Sequence, residues 1–266
     1  MPTVTSKDGT KIAFDKLGSG PAIIIVNGAI QFRAFDPVMA QIADMLSKHF
    51  TVYNYDRRGR GESGDTQPFA KQREIEDLQA MVADAGGKAM VLGFSSGSAV
   101  TLDSAEVTPG ITKIALYEPP FIVDNGRRAV PADYVAHLNQ LVAEGKRGDA
   151  VKYFMVEAAG IPAEYLGGME QDASWETMLK VAHTIAYDGA FVADLMQGNP
   201  LPTDRWTNVT VPTLVIEGGA SEEWFRTGGD ALARLLKNAS RQNLEGQTHM
   251  VAPEVIVPVL EEYFKG

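Results

Sequence analysis

Ala89-Met90-Val91-Leu92-Gly93-Phe94-Ser95-Ser96-Gly97 joins a continuous apolar run to a Gly-bounded pentad, and a segment of helical character follows from Ser98 through Glu106. Strand, sharp turn and helix, in that order, are the setting in which G-x-S-x-G lifts a serine onto a strained elbow with its hydroxyl exposed. The flanking glycines are needed because the turn brings backbone segments closer than a Cβ allows. Ser95 is therefore the candidate nucleophile.

The same strand–helix rhythm runs before the elbow. Thr3–Ser6 and Lys11–Lys16 read as short strands around the turn at Asp8-Gly9. Ala22-Ile23-Ile24-Ile25-Val26 is β-branched throughout, as in a strand buried on both faces. Asp36–Lys48 has helical periodicity, Thr51–Tyr55 is a strand, and Gln72–Ala85 is amphipathic and stops at Gly86-Gly87. Lys113–Tyr117 is the strand after the elbow helix. From about Phe121 to Asn208 no strand of the buried kind occurs, and helical stretches around 131–143, 149–158, 175–186 and 189–196 replace it. The rhythm resumes with Thr213–Ile216, a helix over Gly228–Leu236, the strand Arg241–Leu244 and a closing helix Val255–Phe264. The pattern predicts an α/β fold: a doubly wound, mostly parallel eight-stranded sheet with a helical lid inserted between strands 6 and 7. Residues 1–120 and 209–266 form the expected core domain, and 121–208 the expected cap.

Composition narrows the function. The chain of 266 residues has 45% hydrophobic and 22% charged residues, ordinary values for a globular protein. No apolar run approaches the ~20 residues that cross a bilayer, and the N-terminus lacks the basic and apolar regions of a signal peptide. Cysteine is absent, so neither disulfides nor thiolate chemistry arise. These features predict a cytoplasmic location. A net charge of −10 without a basic cluster speaks against nucleic acid or an anionic membrane as partner. His49, His137, His183 and His249 are scattered, with no metal-ligand spacing. Neither metal nor cofactor is expected. A homodimer is compatible with this reading.

A serine hydroxyl needs a general base, and histidine suits that work near neutral pH. His249 lies just past the final strand, where the chain order Ser…Asp/Glu…His puts the base. His183, in the insertion, is read as a lid residue that can touch substrate. Phe94 and Met250 flank the chemistry in sequence and are candidate pocket residues, together with Asn27 and Phe121.

By these residues the chain resembles the α/β-hydrolase superfamily along nearly its whole length. The resemblance rests on Gly93–Gly97, on Asn27-Gly28, on His249 and on Asp56-Arg57-Arg58-Gly59-Arg60-Gly61-Glu62-Ser63, which is similar to the family's D-x-R-G-x-G-x-S turn. That likeness implies a structural part for the turn and its arginines. It also implies an acid about five residues past Thr213–Ile216, but Ser221 stands there. Serine cannot stabilise an imidazolium or fix its tautomer by charge.

Glu118 is the expected replacement. It closes the strand after the elbow helix, and catalytic groups in such sheets gather at the C-terminal strand ends. An acid in that place resembles the arrangement in many haloalkane dehalogenases and in the fungal zearalenone lactonase, whose elbow also has two consecutive serines. Glu222 and Glu223, one and two residues past the usual position, are the rival acids. For the oxyanion, the N–H of Ser96 is one expected donor and that of Gly28 or Ala29 the other.

The expected reaction is hydrolysis of a carboxylic ester or lactone of a medium-sized hydrophobic substrate. Apolar residues of the insertion, among them Phe121, Met155, Met169, Trp175, Met178, Phe191 and Met196, divide between the lid's own core and the pocket. The alternatives are C–C hydrolysis of diketones by the same triad and a non-catalytic ligand-binding relative. Haloalkane dehalogenation is disfavoured because it needs a carboxylate nucleophile.

Overall fold

Ile23, Ile24 and Ile25 are closed to solvent on both sides of their strand, as the unbroken β-branched run requires. The computed structural model describes residues 1–266. Its eight strands are β1 (Thr3–Thr5), β2 (Lys11–Gly18), β3 (Ala22–Val26), β4 (Thr51–Tyr55), β5 (Ala89–Phe94), β6 (Ile111–Tyr117), β7 (Thr213–Gly218) and β8 (Ala239–Leu244). They form one sheet in the order β1-β2-β4-β3-β5-β6-β7-β8. The first two pairings are antiparallel and all others parallel. β2 runs two residues further than its sequence pattern, because Leu17 and Gly18 pair with Val52 and Thr51.

Helices cover both faces. α1 (Pro37–Leu46) and α10 (Pro253–Lys265) share one core with Ile23, Ile25, Leu92 and Ile216. α2 (Lys71–Asp84) and α3 (Gly97–Ala105) lie against the other face, with the segment between β6 and β7 and α9 (Glu223–Leu235). Asp36 caps α1 by accepting from the Val38 and Met39 N–H groups, both at 3.0 Å.

The segment between β6 and β7 contains no strand, and its helices are α4 (Tyr134–Ala143), α5 (Arg147–Glu157), the short α6 (Leu166–Met169), α7 (Trp175–Val181) and α8 (Ile185–Val192). The continuous helix expected over 175–186 breaks into a 3-10 turn at Ala182–Thr184. There Thr184 Oγ1 donates to the Val181 carbonyl and receives a hydrogen bond from Arg60. α9 starts five residues before the expected Gly228. Gly228 and Gly229 sit inside this helix for a packing reason: a Cβ at Gly228 would strike the Phe121 carbonyl.

The turn after β4 is a polar scaffold. Asp56 accepts from the Arg33 and Glu62 N–H groups, and Arg58 is held by Asp77 and Asp8. Burial pushes the Asp8 carboxyl up, but hydrogen bonds from Arg58 and Thr10 outweigh it and bring it to about 2, from an ordinary 3.8. A carboxyl depressed in this way stabilises the fold fully above its unfolded value and loses that contribution as pH falls through its folded value. Asp8→Asn is therefore expected to lower the urea midpoint at pH 6, with the difference from wild type closing toward pH 2. An equal difference at both pH values would remove Asp8 from the acid response.

No helix is long and apolar enough to cross a membrane. No group of three or more His, Asp and Glu gathers in an arrangement that could hold a metal ion.

Candidate active site

Ser95 has φ +50°, a left-handed backbone rare outside glycine. It stands half-buried between the end of β5 and the start of α3. The elbow closes only because its neighbours lack a Cβ. One built at Gly97 would strike the Val26 carbonyl and lie 2.7 Å from that of Asn27, and one at Gly93 would lie 2.9 Å from Ser98 Cα. Gly28 is the third close approach, with its would-be Cβ 3.0 Å from Ser95 Cβ.

The Ser95 N–H donates to the Tyr117 carbonyl at 2.9 Å, which puts the end of β6 beside the elbow. The next residue, Glu118, is also left-handed at φ +46° and has no exposed surface. That backbone turn leaves the carboxylate among groups from β7 and the loop after β8. Oε1 accepts the Gly218 N–H at 2.8 Å, and Oε2 lies 2.7 Å from His249 Nδ1. A buried carboxylate bonded on both oxygens holds the imidazole with Nδ1 protonated and Nε2 free to accept. No hydrogen bond joins His249 to Ser95, as is common in unliganded sites.

The histidine loop is anchored at several points. Tyr117 Oη donates to the Thr248 carbonyl at 2.5 Å, and the Ala220 N–H to that of Gln247 at 2.8 Å. Phe225 of α9 stacks on the His249 ring at 4.9 Å and 19°, and Trp224 stacks on Phe225 at 3.7 Å. Phe225 is missing from the expected site, although it falls four residues past Ser221 near the end of a core strand. Its signal was hidden because the Gly228-Gly229 pair reads as a helix start.

The rival acids lie elsewhere. Glu222 is exposed and accepts from the Trp224 indole at 2.5 Å, while Glu223 is exposed in the first turn of α9. Neither bonds His249. Glu217, which closes β7 as Glu118 closes β6, is paired with Arg241 at 2.6 Å.

Of the two candidate N–H donors near β3, that of Gly28 is taken by Gln31 Oε1 at 2.8 Å. The N–H groups of Ala29 and Ser96 have no protein acceptor.

The expected pocket residues need correction. Asn27 is buried, with its amide on Asn54 and its carbonyl on Arg57. Phe94 packs on Tyr117 in the core beneath α1 and α10, and Phe121 is fully buried against Trp206. All three are closed to solvent: Phe94 and Phe121 belong to the two apolar cores, and Asn27 is held by its polar partners. His183 lies on the seam between insertion and core, with Nε2 3.3 Å from Asp65. Met250 is 73% exposed beside His249. Met155, Trp175, Met178, Phe191 and Met196 are buried in the apolar core that joins the insertion to the sheet, and Met169 is partly buried against it.

The sequence model of the alpha/beta hydrolase family matches residues 23–258. The chain belongs to this family. An alpha/beta hydrolase from Sphaerobacter thermophilus DSM 20745 is 49% identical, covers 99% of this chain and 100% of its own, and superposes with a TM-score of 0.90. A thermophilic esterase from Thermogutta terrifontis is 20% identical over 99% of this chain and 97% of its own, with a TM-score of 0.72. An uncharacterized hydrolase of Bacillus subtilis, YraK, is 28% identical over 123 residues, which span 43% of this chain and 43% of that protein. Hydrolysis is thus the reaction class that family membership supports.

Proposed function

We propose that this α/β hydrolase is a serine hydrolase that cleaves a carboxylic ester or lactone of a medium-sized hydrophobic substrate. The observation that carries the reading is the buried Glu118 carboxylate bonded to His249 Nδ1 beside the strained Ser95. In this reading His249 Nε2 takes the Ser95 proton as Oγ attacks the carbonyl carbon. The oxyanion is held by the N–H groups of Ser96 and Ala29, which are unclaimed within the protein. His249 then protonates the leaving oxygen, and water hydrolyses the acyl-enzyme by the reverse sequence. Glu118 stabilises the imidazolium and keeps its ring in place.

Esters and lactones fit best because their leaving oxygen is easily protonated. An apolar acyl or alcohol group suits the half-buried Phe225 and the exposed Met250 beside the imidazole. The esterase among the fold relatives is in keeping with this chemistry. Residues 121–208 serve as a cap over the core in this reading.

The test is a fluorophosphonate probe followed by peptide mass analysis, with a panel of esters, lactones and diketones. Rapid modification confined to Ser95, with turnover of the esters or lactones, is the expected outcome. An inert Ser95, or turnover of diketones alone, would refute it.

A further inference from the structure

Asp188 is a buried acid that the steps above do not use. It comes from α8, in the insertion, and its side chain is 4% exposed. Its Oδ1 accepts from Ser96 Oγ at 2.7 Å and lies 2.5 Å from Arg57 Nη1, while Oδ2 is paired with Arg60. Arg57 and Arg60 are themselves closed to solvent. Arg57 is also gripped by Glu74 at 2.7 and 2.8 Å, so two guanidiniums face two carboxylates in a neutral buried cluster. Burial pushes the Asp188 carboxyl up, but the two arginines and the Ser96 hydroxyl outweigh it and hold it below the ordinary range.

The arginines reach beyond this cluster. Arg57 donates to the Asn27 carbonyl at 3.1 Å and Arg60 to the Gly28 carbonyl at 2.5 Å. The Gly28 carbonyl and the Ala29 N–H belong to one peptide group. Planarity of a trans peptide makes them point in opposite directions. A guanidinium fixed on the carbonyl therefore fixes the direction of that N–H. It also polarises the amide, which strengthens the N–H as a donor. The bond from Ser96 Oγ to Asp188 holds the residue that carries the other donor.

Resting on the reading of Ser95 as nucleophile, we propose that Asp188 and Arg60 are positioning residues that preorganise the oxyanion donors of Ser96 and Ala29 from behind. One carboxylate of the insertion is bonded directly to one donor residue and, through Arg60, to the peptide of the other. The hole is then complete only with α8 docked on the core. Neither arginine belongs to the D-x-R-G-x-G-x-S pattern of the turn, whose own arginine, Arg58, pairs with Asp77 and Asp8.

Two variants test this. Ser96→Ala removes the hydroxyl and keeps the N–H. Arg60→Lys keeps a charge but cannot span the Gly28 carbonyl and Asp188 as a planar fork. Turnover is measured per active site titrated with the phosphonate, so that only folded enzyme is counted. Loss of a whole oxyanion donor lowers kcat by about 10²–10³-fold, so a donor left in place but loosened should lower it by about tenfold in each variant, with KM unchanged. Affinity for a trifluoromethyl ketone, whose hemiketal oxyanion fills the hole, should fall by the same factor. A merely structural network would lower the melting temperature and leave kcat per titrated site and ketone affinity at wild-type values, and that result overturns the inference. If wild-type Ser95 is labelled and turns over ester while both variants match it, only this inference fails. If wild type is neither labelled nor active, the underlying reading fails and takes the inference with it.

Discussion

Ser95→Ala is expected to remove ester turnover and phosphonate labelling together, with kcat lower by about 10⁶-fold. The effect is this large because no second nucleophile stands ready. Ser96 Oγ donates to Asp188, and Ser98 Oγ to the Gly93 carbonyl, so neither hydroxyl is free for attack. The fold should survive, since alanine keeps the Cβ that the +50° backbone already carries and loses only an oxygen with no structural partner. A far-UV circular dichroism melt run beside the kinetics separates lost chemistry from lost structure. Wild-type turnover in a folded Ser95→Ala protein would strike Ser95 from the mechanism.

Glu118→Gln is expected to lower kcat by about 10⁴-fold with little change in KM, the magnitude seen when a triad acid is made neutral elsewhere. Glutamine can still accept the Gly218 N–H through its carbonyl oxygen. Its NH₂ then faces His249 Nδ1, where Oε2 lies 2.7 Å away in the native protein. Donor meets donor unless the ring moves its proton to Nε2, and that tautomer cannot take a proton from Ser95. The imidazolium also loses the adjacent negative charge. Because Glu118 is fully buried, part of the response is structural, and active-site titration corrects for it. Glu222→Gln and Glu223→Gln should retain wild-type turnover, since both side chains are exposed, Glu222 is bonded to the Trp224 indole, and neither bonds the imidazole. The reverse pattern would move the acid to the start of α9.

The elements of the core were legible because each has a strong local cause. Ile23–Ile25 form a strand covered on both sides, and Gly93 and Gly97 stand where the elbow leaves no room for a Cβ. Glu118 was legible as a charge closing an apolar run, which must find a partner when buried. What was not legible came from contacts between distant segments. The break at Ala182–Thr184 follows from the bond of Thr184 to Arg60, and the early start of α9 from packing of Gly228 on Phe121. Phe94 and Phe121 are near Ser95 and Glu118 in sequence, yet each packs into an apolar core, and Asn27, next to the oxyanion loop, is turned to Asn54 instead.

From the chain alone came the alternation of strands and helices, the elbow around Ser95 and a histidine past the last strand. All are patterns of a few residues governed by sterics and burial. Tertiary structure alone decided that Glu118 bonds His249 while Glu217, in the equivalent place one strand over, bonds Arg241. It alone set Phe225 on the imidazole and Asp188 behind Ser96. A side chain's local preference does not specify which distant group will meet it. That depends on how the sheet order and the docked insertion bring remote segments within hydrogen-bonding distance.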